Sequence, residues 1–455
     1  MTPEIQPAPP LPAELPYNPY LGPGLEAAQS LRAASHLAVT AAMAPVRIAL
    51  LANRFSPFPY PVPSELERYP GALSDLSELL TRRYPEPKFG IESTTIGGEA
   101  VAVTQENVAE TPFSSLIRFN RNFTPGQERA DPKVLIVSAL SGHHATLHRP
   151  TIQELLPNAD VHLLAWKDAR NIPAEEGRFG MDEYIDHVVA AIRTMGAQDT
   201  HVVAICQPTV PVSAAVARLA EESPLEQVPS LTLISGPVDT RVNAEMCELE
   251  DFSGINIDTL CRKLVGKVPN GYPGAGRLAY FGEVQQMAFY AMDPMRHFRS
   301  YGKMFLQQVM GNQAEANKTA TFYEEYNAML SMAAEYWAET VQIVFQERQL
   351  ARGTMLHHGR PLQMSAVNDT HLLTVEGGQD GFCPPGQTSA AHNIFTGIDS
   401  GQRAHCLVQG AGHYGTWAGS SFRNEVAPQM RGLFLMAGNS RGLHYDAPTL
   451  PTLIP

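Results

Sequence analysis

Three residues that lie far apart in the sequence, Cys206, Asp380 and His413, have side chains that together could carry out nucleophilic catalysis. A cysteine thiolate attacks a carbonyl carbon, a histidine transfers the proton, and an aspartate fixes the tautomer of the histidine. The chain order nucleophile, acid, histidine is typical of catalytic triads at one edge of a parallel sheet. We therefore predict that Cys206, Asp380 and His413 form a catalytic triad that acts on acyl groups.

The sequence around Cys206 predicts a strand that ends in a sharp bend. Residues 202–205 are apolar β-formers, and Gln207 and Pro208 follow the cysteine at once. The order of strand, nucleophile and helix is that of the nucleophile elbow, G-x-S-x-G, which here reads A-I-C-Q-P. On this motif alone a buried structural cysteine is the better interpretation. Asp380 and His413 follow Cys206 in the chain order of a catalytic triad, and this order favours the interpretation of Cys206 as a nucleophile.

Two turns are predicted to supply the N–H groups that stabilise the negative charge on the attacked oxygen. One donor is the backbone amide of Gln207, directly after the nucleophile. The other is expected in the loop after the first strand of the body, at Ser141, Gly142 or His143. Gly142 would let the backbone approach the oxygen closely because it lacks a Cβ atom.

Asp239 and Glu376 are the alternatives to Asp380 as the acid of the triad. Asp239 follows the strand after Cys206, a position from which some α/β enzymes take their acid. Glu376 lies within its predicted strand or at the end of it. Asp380 is favoured because a separate step from strand to loop leads to it.

Two histidine pairs, His143-His144 and His357-His358, raise the question of a metal site. Neither pair has a carboxylate at the i, i+4 spacing of a helical metal motif, and the one histidine at that spacing, His148 after His144, does not by itself complete such a motif. The stretch GQDGFCPPGQ contains neither a GxGxxG nor a Walker pattern. We therefore expect neither a metal ion nor an organic cofactor.

The elements that would hold these residues alternate between strand and helix. The predicted strands cover 133–140, 160–166, 201–205, 230–236 and the beginnings of 369–380 and 404–415, and the predicted helices cover 181–196 and 212–222. This alternation predicts an α/β protein with a mainly parallel central sheet. Together with the elbow and the triad order, it predicts the α/β-hydrolase fold with a helical lid insertion.

The patterns divide the chain into regions with different predicted structure. These regions are a Pro-rich mobile arm at 1–24, a helical region at 25–130, the α/β core at 131–246 and 357–455, and a helical lid at 247–356. The first helix, from Leu25 to about Ala52, is expected to pack on the body or to touch an apolar surface. Met, Phe and Tyr recur at helical spacing in the lid, which predicts a Met-rich face for an apolar substrate.

Composition limits the partners and the compartment. The chain has 455 residues, 44% hydrophobic and 17% charged, as expected for a globular protein with a sizeable core. A net charge of −13 without a long basic run argues against binding to nucleic acid or to an anionic bilayer. Five cysteines without a CxxC pair favour a reducing compartment. No secretory signal or long apolar span is evident, so we expect a cytoplasmic protein.

Several stretches resemble the intracellular poly(3-hydroxybutyrate) depolymerases, which are α/β hydrolases with a Cys-Asp-His triad. The matching stretches are PKVLIVSALSGHHATL, WKDARNIPAEEGRF, CQPTVPVSAAVA, GPVDTRVN, YPGAGR, TVEGGQD, GQT and GAGHYG. The resemblance implies that Cys206 is the nucleophile, Asp380 the acid and His413 the base, with the S-G-H segment 141–143 on the oxyanion side. It also implies hydrolysis of stored, amorphous polyester in cytoplasmic granules, with 3-hydroxybutyrate and short oligomers as products.

Two other functions remain open at this point. Polyhydroxyalkanoate synthases resemble this chain in fold and also use Cys, Asp and His, but they carry a G-x-C-x-G elbow, whereas Pro208 replaces the last glycine here. A non-catalytic protein that coats storage granules would explain the Ala-rich helix and the Met-rich insertion, but it would not require an ordered triad. The oligomeric state is open, and a homo-oligomer is compatible with the sequence.

Overall fold

The computed structural model describes residues 11, 14–124, 126, 128–247 and 254–446. The strands are β1 Ser93–Ile96, β2 Glu99–Glu110, β3 Ser114–Arg121, β4 Lys133–Val137, β5 Asp160–Trp166, β6 Thr200–Ile205, β7 Ser230–Ile234, β8 Val265–Lys267, β9 Leu278–Tyr280, β10 Met332–Ala333, β11 Leu356–His357, β12 Arg360–Pro361, β13 His371–Gly377 and β14 Arg403–Val408. The helices are α1 Leu21–Arg54, α2 Ser64–Thr81, α3 Arg149–Leu155, α4 Met181–Met195, α5 Thr209–Glu222, α6 Ile257–Leu264, α7 Gly282–Met292, α8 Pro294–Val309, α9 Gln313–Tyr326, α10 Ala334–Glu339, α11 Gln349–Arg352, α12 Ala391–Ile394, α13 Gly419–Ser421 and α14 Ala427–Ser440.

Nine strands form one sheet in the order β1-β2-β3-β5-β4-β6-β7-β13-β14. The six strands from β5 to β14 in this order are parallel to one another, whereas β1, β2 and β3 are added as antiparallel strands at one edge. The predicted α/β class, the mainly parallel sheet and the α/β-hydrolase fold are therefore confirmed. The carboxyl ends of β6, β13 and β14 lie at the same edge of the sheet, where sites form in such folds.

The central strands are buried on both faces, which explains their continuous apolar sequences. Leu135 and Val202 pack in a core with α4 and α5. Their neighbours Val134 and Val203 pack in a second core with α3 and α14. Alternate residues of one strand thus pack in opposite cores. The bounds of these buried strands agree with the predicted bounds to within a few residues.

The region 25–130 differs from its prediction as a helical segment. Helices α1 and α2 occupy its first part, but β1, β2 and β3 follow and join the central sheet through β3. In β2 Val103 is buried and most other side chains are exposed. A strand exposed in this way has no apolar period, so its sequence does not separate it from a loop.

The Pro-rich arm is shorter than predicted, because α1 begins at Leu21 rather than Leu25. Residues 14–20 contact the body: the Leu15 side chain is buried, and the Asn18 N–H donates to the Val265 carbonyl at 2.8 Å. Pro23 fits the first turn of a helix, where its missing N–H costs little. Residues 1–10 of the predicted arm lie outside the described residues.

The lid insertion contains helices α6 to α11, in agreement with its predicted helical character. It also contains a three-stranded antiparallel sheet in the order β10-β9-β8, which the sequence did not predict. These strands have two or three residues each, too few to show a period-two pattern. The first lid residues, 248–253, lie outside the described residues.

Helix α1 is long and mostly exposed. An 18-residue window within Leu21–Arg54 has a mean hydropathy of 1.5, and none of that window is buried. By length and composition this helix could cross a membrane. The expectation that the helix packs on the body is wrong for most of its length, because its main contact is the neighbouring helix α2.

Candidate active site

Cys206 lies in a strained turn between β6 and α5. Its φ angle is 69°, in the left-handed region that non-glycine residues rarely adopt. The turn is held by the Cys206 N–H, which donates to the Ile234 carbonyl at 2.7 Å, and by the Thr209 N–H, which donates to the Cys206 carbonyl at 3.2 Å. This geometry presents the cysteine above the sheet with a helix behind it, as predicted for a nucleophile elbow.

Pro208, the departure from the elbow motif, fits the backbone at its position. Its φ is −67° and its ψ is −8°, which are angles that the pyrrolidine ring allows. The position therefore does not require glycine, since the positive φ belongs to Cys206 itself. Replacement of the last glycine of the motif is thus compatible with the elbow.

Asp380 and His413 are brought together from two different loops. Asp380 follows β13, His413 follows β14, and the His413 Nδ1 lies 2.8 Å from the Asp380 Oδ2. The other carboxylate oxygen, Oδ1, accepts the backbone N–H groups of Phe382 and Cys383, both at 2.9 Å. The carboxylate is therefore fixed on one side by the backbone and is aimed at the imidazole on the other.

The imidazole of His413 also interacts with the Cys206 sulfur, and both residues line the same cavity. Burial by itself lowers the pKa of His413, but the charges of Cys206 and Asp380 outweigh it and raise the pKa to about 10. The protonated ring is therefore favoured well above the ordinary histidine pKa of about 6.5. A thiolate–imidazolium pair held by a carboxylate is the arrangement that activates a cysteine nucleophile.

The alternative acids have other partners. Burial by itself raises the pKa of Asp239, but the ion pair with Arg241, whose Nη2 lies 2.7 Å from the Asp239 Oδ2, outweighs it and lowers this pKa. Glu376 accepts the backbone N–H groups of Gly386, Thr388 and Ser389 at 2.8 to 2.9 Å. Asp239 thus neutralises a neighbouring cation, and Glu376 organises the loop after β13.

The predicted oxyanion segments meet at Cys206. Ser141, His143 and Gln207 line the cavity that contains the thiol. Within the described part of the chain, no hydrogen bond uses the backbone N–H of Gln207. Its side chain connects the turn to its surroundings, since Nε2 donates to the Tyr336 hydroxyl and Oε1 accepts from the Leu140 N–H. The role of these groups as oxyanion donors stays a prediction.

Gly142 has a different environment from its two neighbours. Its φ is 109°, and a Cβ atom there would lie 2.6 Å from the Met329 Cε and 2.7 Å from the Gln285 Cγ. Its carbonyl accepts the Leu330 N–H at 2.7 Å. Glycine is therefore required where the loop crosses the lid, and its place on the oxyanion side stays a prediction.

His143 forms part of the cavity wall as a neutral ring. Burial lowers its pKa to about 4, and the ring stacks on Phe289 of α7 with a centroid distance of 5.2 Å. Its Nε2 has no hydrogen-bond partner among the described residues. The ring thus contributes an uncharged surface beside the thiol.

The cavity itself has a volume of about 140 Å³ and an aromatic lining that the sequence did not reveal. The lid supplies Phe289, Trp337 and Phe345, and the core supplies Phe382 and Trp417. Met332 is the only methionine in this lining, so the expected Met-rich face is wrong for the described residues. Aromatic residues spaced along a helix are typical of any buried helix, and no sequence signal separates these from core residues.

Cys383 is buried and also lines the cavity. Burial raises the pKa of its thiol well above the ordinary value, and the nearby charges of Cys206 and Asp380 raise the pKa further. The thiol of Cys383 is therefore held in its neutral form. Cys206, which carries the strained φ and contacts His413, is the better nucleophile of the two.

A larger cavity of about 690 Å³ lies beside the first and does not include Cys206. His143 and Gln285 line the smaller cavity, and the next residues along the chain, His144 and Gln286, line the larger one. The larger cavity is polar, with Arg170 paired to Asp168 and Glu283. The chemistry predicted from the sequence belongs to the smaller cavity.

The histidine pair at 357–358 acquires a carboxylate partner in the fold. Asp186 of α4 lies 3.0 Å from the His357 Nε2 and 2.7 Å from the His358 Nε2. However, the buried Arg218 donates its Nε–H to the His357 Nδ1 at 3.2 Å. Since a metal-bound histidine donates its second N–H to an acceptor, a guanidinium at Nδ1 opposes metal binding through Nε2. The group fits a hydrogen-bonded His-Asp-His cluster better than a metal site.

Comparison with known protein families supports the assignment of the C-terminal part. Residues 235–437 match the family model described as "PHB de-polymerase C-terminus". The matched region contains Asp380, His413 and the whole lid insertion, and Cys206 lies before it. A search of curated proteins finds no match to the chain.

Solved structures with a similar arrangement are related only distantly in sequence. A putative lipase from Acinetobacter baumannii AYE is 10% identical over 74% of this chain and 93% of that chain, with a TM-score of 0.38. The 2-hydroxy-6-oxo-6-phenylhexa-2,4-dienoate hydrolase from Rhodococcus sp. strain RHA1 is 12% identical over 74% of this chain and 99% of that chain, with a TM-score of 0.38. A putative aryl esterase from Burkholderia cenocepacia is 11% identical over 74% of this chain and 100% of that chain, also with a TM-score of 0.38.

The sheet order and the family match lead to the same assignment. The sheet with its inserted lid has the architecture of an α/β hydrolase, and these enzymes commonly act on ester bonds. The family model covers the region that supplies the acid and the histidine. Residues 235–437 are therefore similar to the C-terminal part of poly(3-hydroxybutyrate) depolymerases, the chain has the α/β-hydrolase fold, and together these findings support ester hydrolysis as its general chemistry.

Proposed function

We propose that this protein hydrolyses the ester bonds of intracellular, amorphous poly(3-hydroxybutyrate), with Cys206 as nucleophile, His413 as acid and base, and Asp380 as the group that orients the histidine. The observation that carries the proposal is the position of Cys206 beside His413, in a strained turn that lines an apolar, aromatic cavity. The substrate is the cytoplasmic storage granule, and the products are 3-hydroxybutyrate and short oligomers.

In the first half-reaction, the Cys206 thiolate attacks the ester carbonyl carbon, and the negative charge moves to the carbonyl oxygen. The backbone N–H of Gln207 and one N–H of the segment 141–143 stabilise this oxygen. The C–O bond then breaks, and His413 gives its proton to the leaving alkoxide. The result is a thioester on Cys206 and a released polymer end with a hydroxyl group.

In the second half-reaction, water replaces the alcohol as the attacking group. His413, now neutral, removes a proton from water, and the hydroxide attacks the thioester carbonyl. The C–S bond breaks and releases the 3-hydroxyacyl acid, while Cys206 returns to the thiolate. Asp380 keeps the Nδ1–H of His413 directed at itself throughout, so that Nε2 handles both proton transfers.

The test is release of 3-hydroxybutyrate from amorphous granules by wild type, Cys206→Ala and Cys383→Ala. Cys383 is the matched control because it lines the same cavity with a buried thiol. We expect Cys206→Ala to lose at least about 10⁴-fold in rate and Cys383→Ala to stay within about tenfold of wild type. Equal release by wild type and Cys206→Ala would contradict the proposal.

Two assays separate the proposal from its rivals. Release of CoA from 3-hydroxybutyryl-CoA with growth of polymer would show a synthase instead. Granule binding by the wild type without release of any acid would show a coat protein. Pro208 departs from the G-x-C-x-G elbow of the synthases, which favours hydrolysis over synthesis. The contact between His413 and Asp380 is not needed by a coat protein, which favours hydrolysis over a coat function.

A further inference from the structure

Helices α1 and α2 form an antiparallel hairpin in which one face of α1 is exposed to solvent. Helix α1 has 34 residues, which at 1.5 Å per residue gives a length of about 51 Å. On the side facing α2, the Arg54 side chain pairs with Glu67, and the Arg47 Nη2 donates to the Pro70 carbonyl at 3.1 Å. Helix α1 also exposes Leu37, whose side chain is 68% exposed, together with Ile48 and Leu51.

The connection between the two helices, residues 55–63, carries three aromatic side chains in solvent. Phe55, Phe58 and Tyr60 are all more than 80% exposed. We call these three residues and the exposed Leu37, Ile48 and Leu51 the hairpin surface. Large apolar side chains exposed in this number along one hairpin are typical of a surface that binds something.

The aromatic tip is held in a fixed conformation. The Tyr60 N–H donates to the Asn53 Oδ1 at 2.9 Å, and the Asn53 Nδ2 donates to the Tyr60 carbonyl at 2.8 Å. Four prolines in the sequence FSPFPYPVP further restrict the backbone. Since the tip is ordered before binding, little conformational entropy is lost when its rings enter an apolar phase.

The charge of the hairpin surface matches an uncharged apolar material. Leu37 and the three aromatic residues lie in segments 33–46 and 55–63, which contain no Asp, Glu, Lys or Arg. Arg47 and Arg54, which bracket Ile48 and Leu51, are engaged by α2. Helices that lie on anionic bilayers carry clusters of Lys or Arg on their polar face, and here the whole chain has a net charge of −13. A neutral polyester offers apolar chain segments and ester oxygens without formal charge, and it therefore complements this surface better than a charged membrane does.

The hairpin is joined to the lid over the candidate active site. Tyr69 of α2 packs against Phe305 of α8 with a ring-centroid distance of 5.4 Å, and the Arg68 Nη1 donates to the Val309 carbonyl at 3.3 Å. Helix α8 follows α7, which carries the Phe289 ring that lines the catalytic cavity. Helix α8 itself exposes Phe298, so the lid also presents an apolar side chain to solvent.

We infer that the hairpin surface is the docking surface for a neutral, hydrophobic polyester particle, and that its aromatic tip at Phe55, Phe58 and Tyr60 inserts into the particle. This inference rests on the proposed function for the identity of the polymer. Docking through α1 and α2 brings the lid, and with it the cavity of Cys206, next to the polymer surface. The hairpin is thus a binding module that is separate from the groups that carry out the chemistry.

The test measures binding separately from chemistry, in a Cys206→Ala background that leaves the particle intact. The variant Phe55→Ser, Phe58→Ser, Tyr60→Ser is compared with its parent for co-sedimentation with protein-free amorphous poly(3-hydroxybutyrate) particles. The matched control is Leu225→Ser, because Leu225 is 72% exposed and belongs to the α/β core rather than to the hairpin. Every protein compared is a full-length chain, and the same substitutions with Cys206 intact are assayed on soluble p-nitrophenyl butyrate.

We expect the tip variant to bind at least tenfold less protein per particle, the Leu225→Ser control to bind like the parent, and both to hydrolyse the soluble ester within twofold of wild type. Equal binding by the tip variant and its parent, or no binding by the parent, would overturn the inference whatever the activity. Tip-dependent binding without polymer hydrolysis by wild type would retain the docking surface and reject the proposed function.

Two further outcomes would identify a different occupant and overturn the inference. Uncharged phosphatidylcholine vesicles bound through the same residues as tightly as the polymer would indicate a bilayer. A wild-type dimer and a monomeric tip variant in light scattering, with unchanged particle binding, would indicate that a second copy of the chain covers the surface.

Discussion

The Asp380 carboxylate divides its two oxygens between the backbone and the His413 ring: Oδ1 accepts two loop N–H groups, and Oδ2 lies 2.8 Å from Nδ1 of the imidazole. The loop therefore fixes the carboxylate, and the carboxylate fixes the ring. Burial opposes protonation of the ring, but the charges of Cys206 and Asp380 outweigh it and raise the pKa of His413. The consequences for activity, protonation and stability can each be measured.

Asp380→Asn should lower the rate of ester hydrolysis by roughly 10³- to 10⁴-fold with little loss of fold stability. The amide keeps an oxygen that accepts the N–H groups of Phe382 and Cys383, but it loses the charge that orients and stabilises imidazolium. Asp239→Asn is the matched control, and it should keep near wild-type activity because Asp239 pairs with Arg241. Steady-state rates of the two variants are compared on a soluble ester. A larger loss of rate in Asp239→Asn than in Asp380→Asn would assign the acid of the triad to Asp239.

Cys206→Ala should lower the pKa of His413. Burial opposes protonation of the ring, and in wild type the charges of Cys206 and Asp380 overcome it and raise the pKa to about 10. Removal of the sulfur removes one of these charges. Titration of the His413 ring proton by NMR should therefore show a pKa well above 6.5 in wild type and a lower value in the variant.

The same shift fixes the sign of the pH dependence of stability. The folded-state pKa of His413 lies above its unfolded value of about 6.5. Protonation of this ring therefore stabilises the fold fully below pH 6.5, and the contribution disappears as the pH rises through about 10. Thermal unfolding of wild type and Cys206→Ala across this window should show the larger pH effect in wild type. If the unfolding temperatures of wild type and Cys206→Ala changed equally with pH, the proposed interaction between Cys206 and His413 would be refuted.

Pro208→Gly should not improve catalysis, although it restores the glycine of the general elbow motif. The backbone at this position already has φ of −67°, and glycine would only add freedom to the unfolded chain. We expect a loss of about 0.5–1 kcal/mol in the free energy of unfolding with kcat on a soluble ester within twofold. A tenfold gain in kcat would show that the proline restrains the nucleophile.

Gly142→Ala should reduce both activity and stability. The added Cβ would lie 2.6 Å from the Met329 Cε, at a φ of 109° that alanine rarely adopts. We expect a loss of about 1–3 kcal/mol in the free energy of unfolding and a clear fall in kcat, because Ser141 and His143 move with the loop. Gly401→Ala is the control, since nothing lies within 4 Å of its Cβ position. Similar thermal shifts for the two variants would contradict the proposed lid contact.

Zinc should not stabilise the cluster of Asp186, His357 and His358. The Arg218 guanidinium donates to the His357 Nδ1, so the lone pair that a metal would need at Nε2 is replaced by an N–H bonded to Asp186. Added Zn²⁺ is therefore expected to leave the unfolding temperature of wild type unchanged. A rise in unfolding temperature that disappears in His358→Ala would establish a metal site there.

The central strands and the residues at their carboxyl ends could be predicted from the amino-acid sequence alone. Strands β4 to β7 are buried on both faces, and a strand of this kind must be apolar along its whole length. Because parallel strands end at one edge, the chain order of Cys206, Asp380 and His413 is enough to place all three at the same edge of the sheet. Local information was sufficient here, since each residue directly follows an element that its own neighbours define.

Features that depend on contacts between distant segments are evident only in the folded chain. The exposed strand β2 lacks an apolar period because its stability comes from hydrogen bonds to β1 and β3. Asp186 reaches His357 only because α4 packs beside the hairpin of β11 and β12, and Gly142 meets Met329 only where the lid crosses the loop. The exposure of the hairpin surface could not be predicted either, since an apolar helix has the same sequence whether a protein core or another phase covers it.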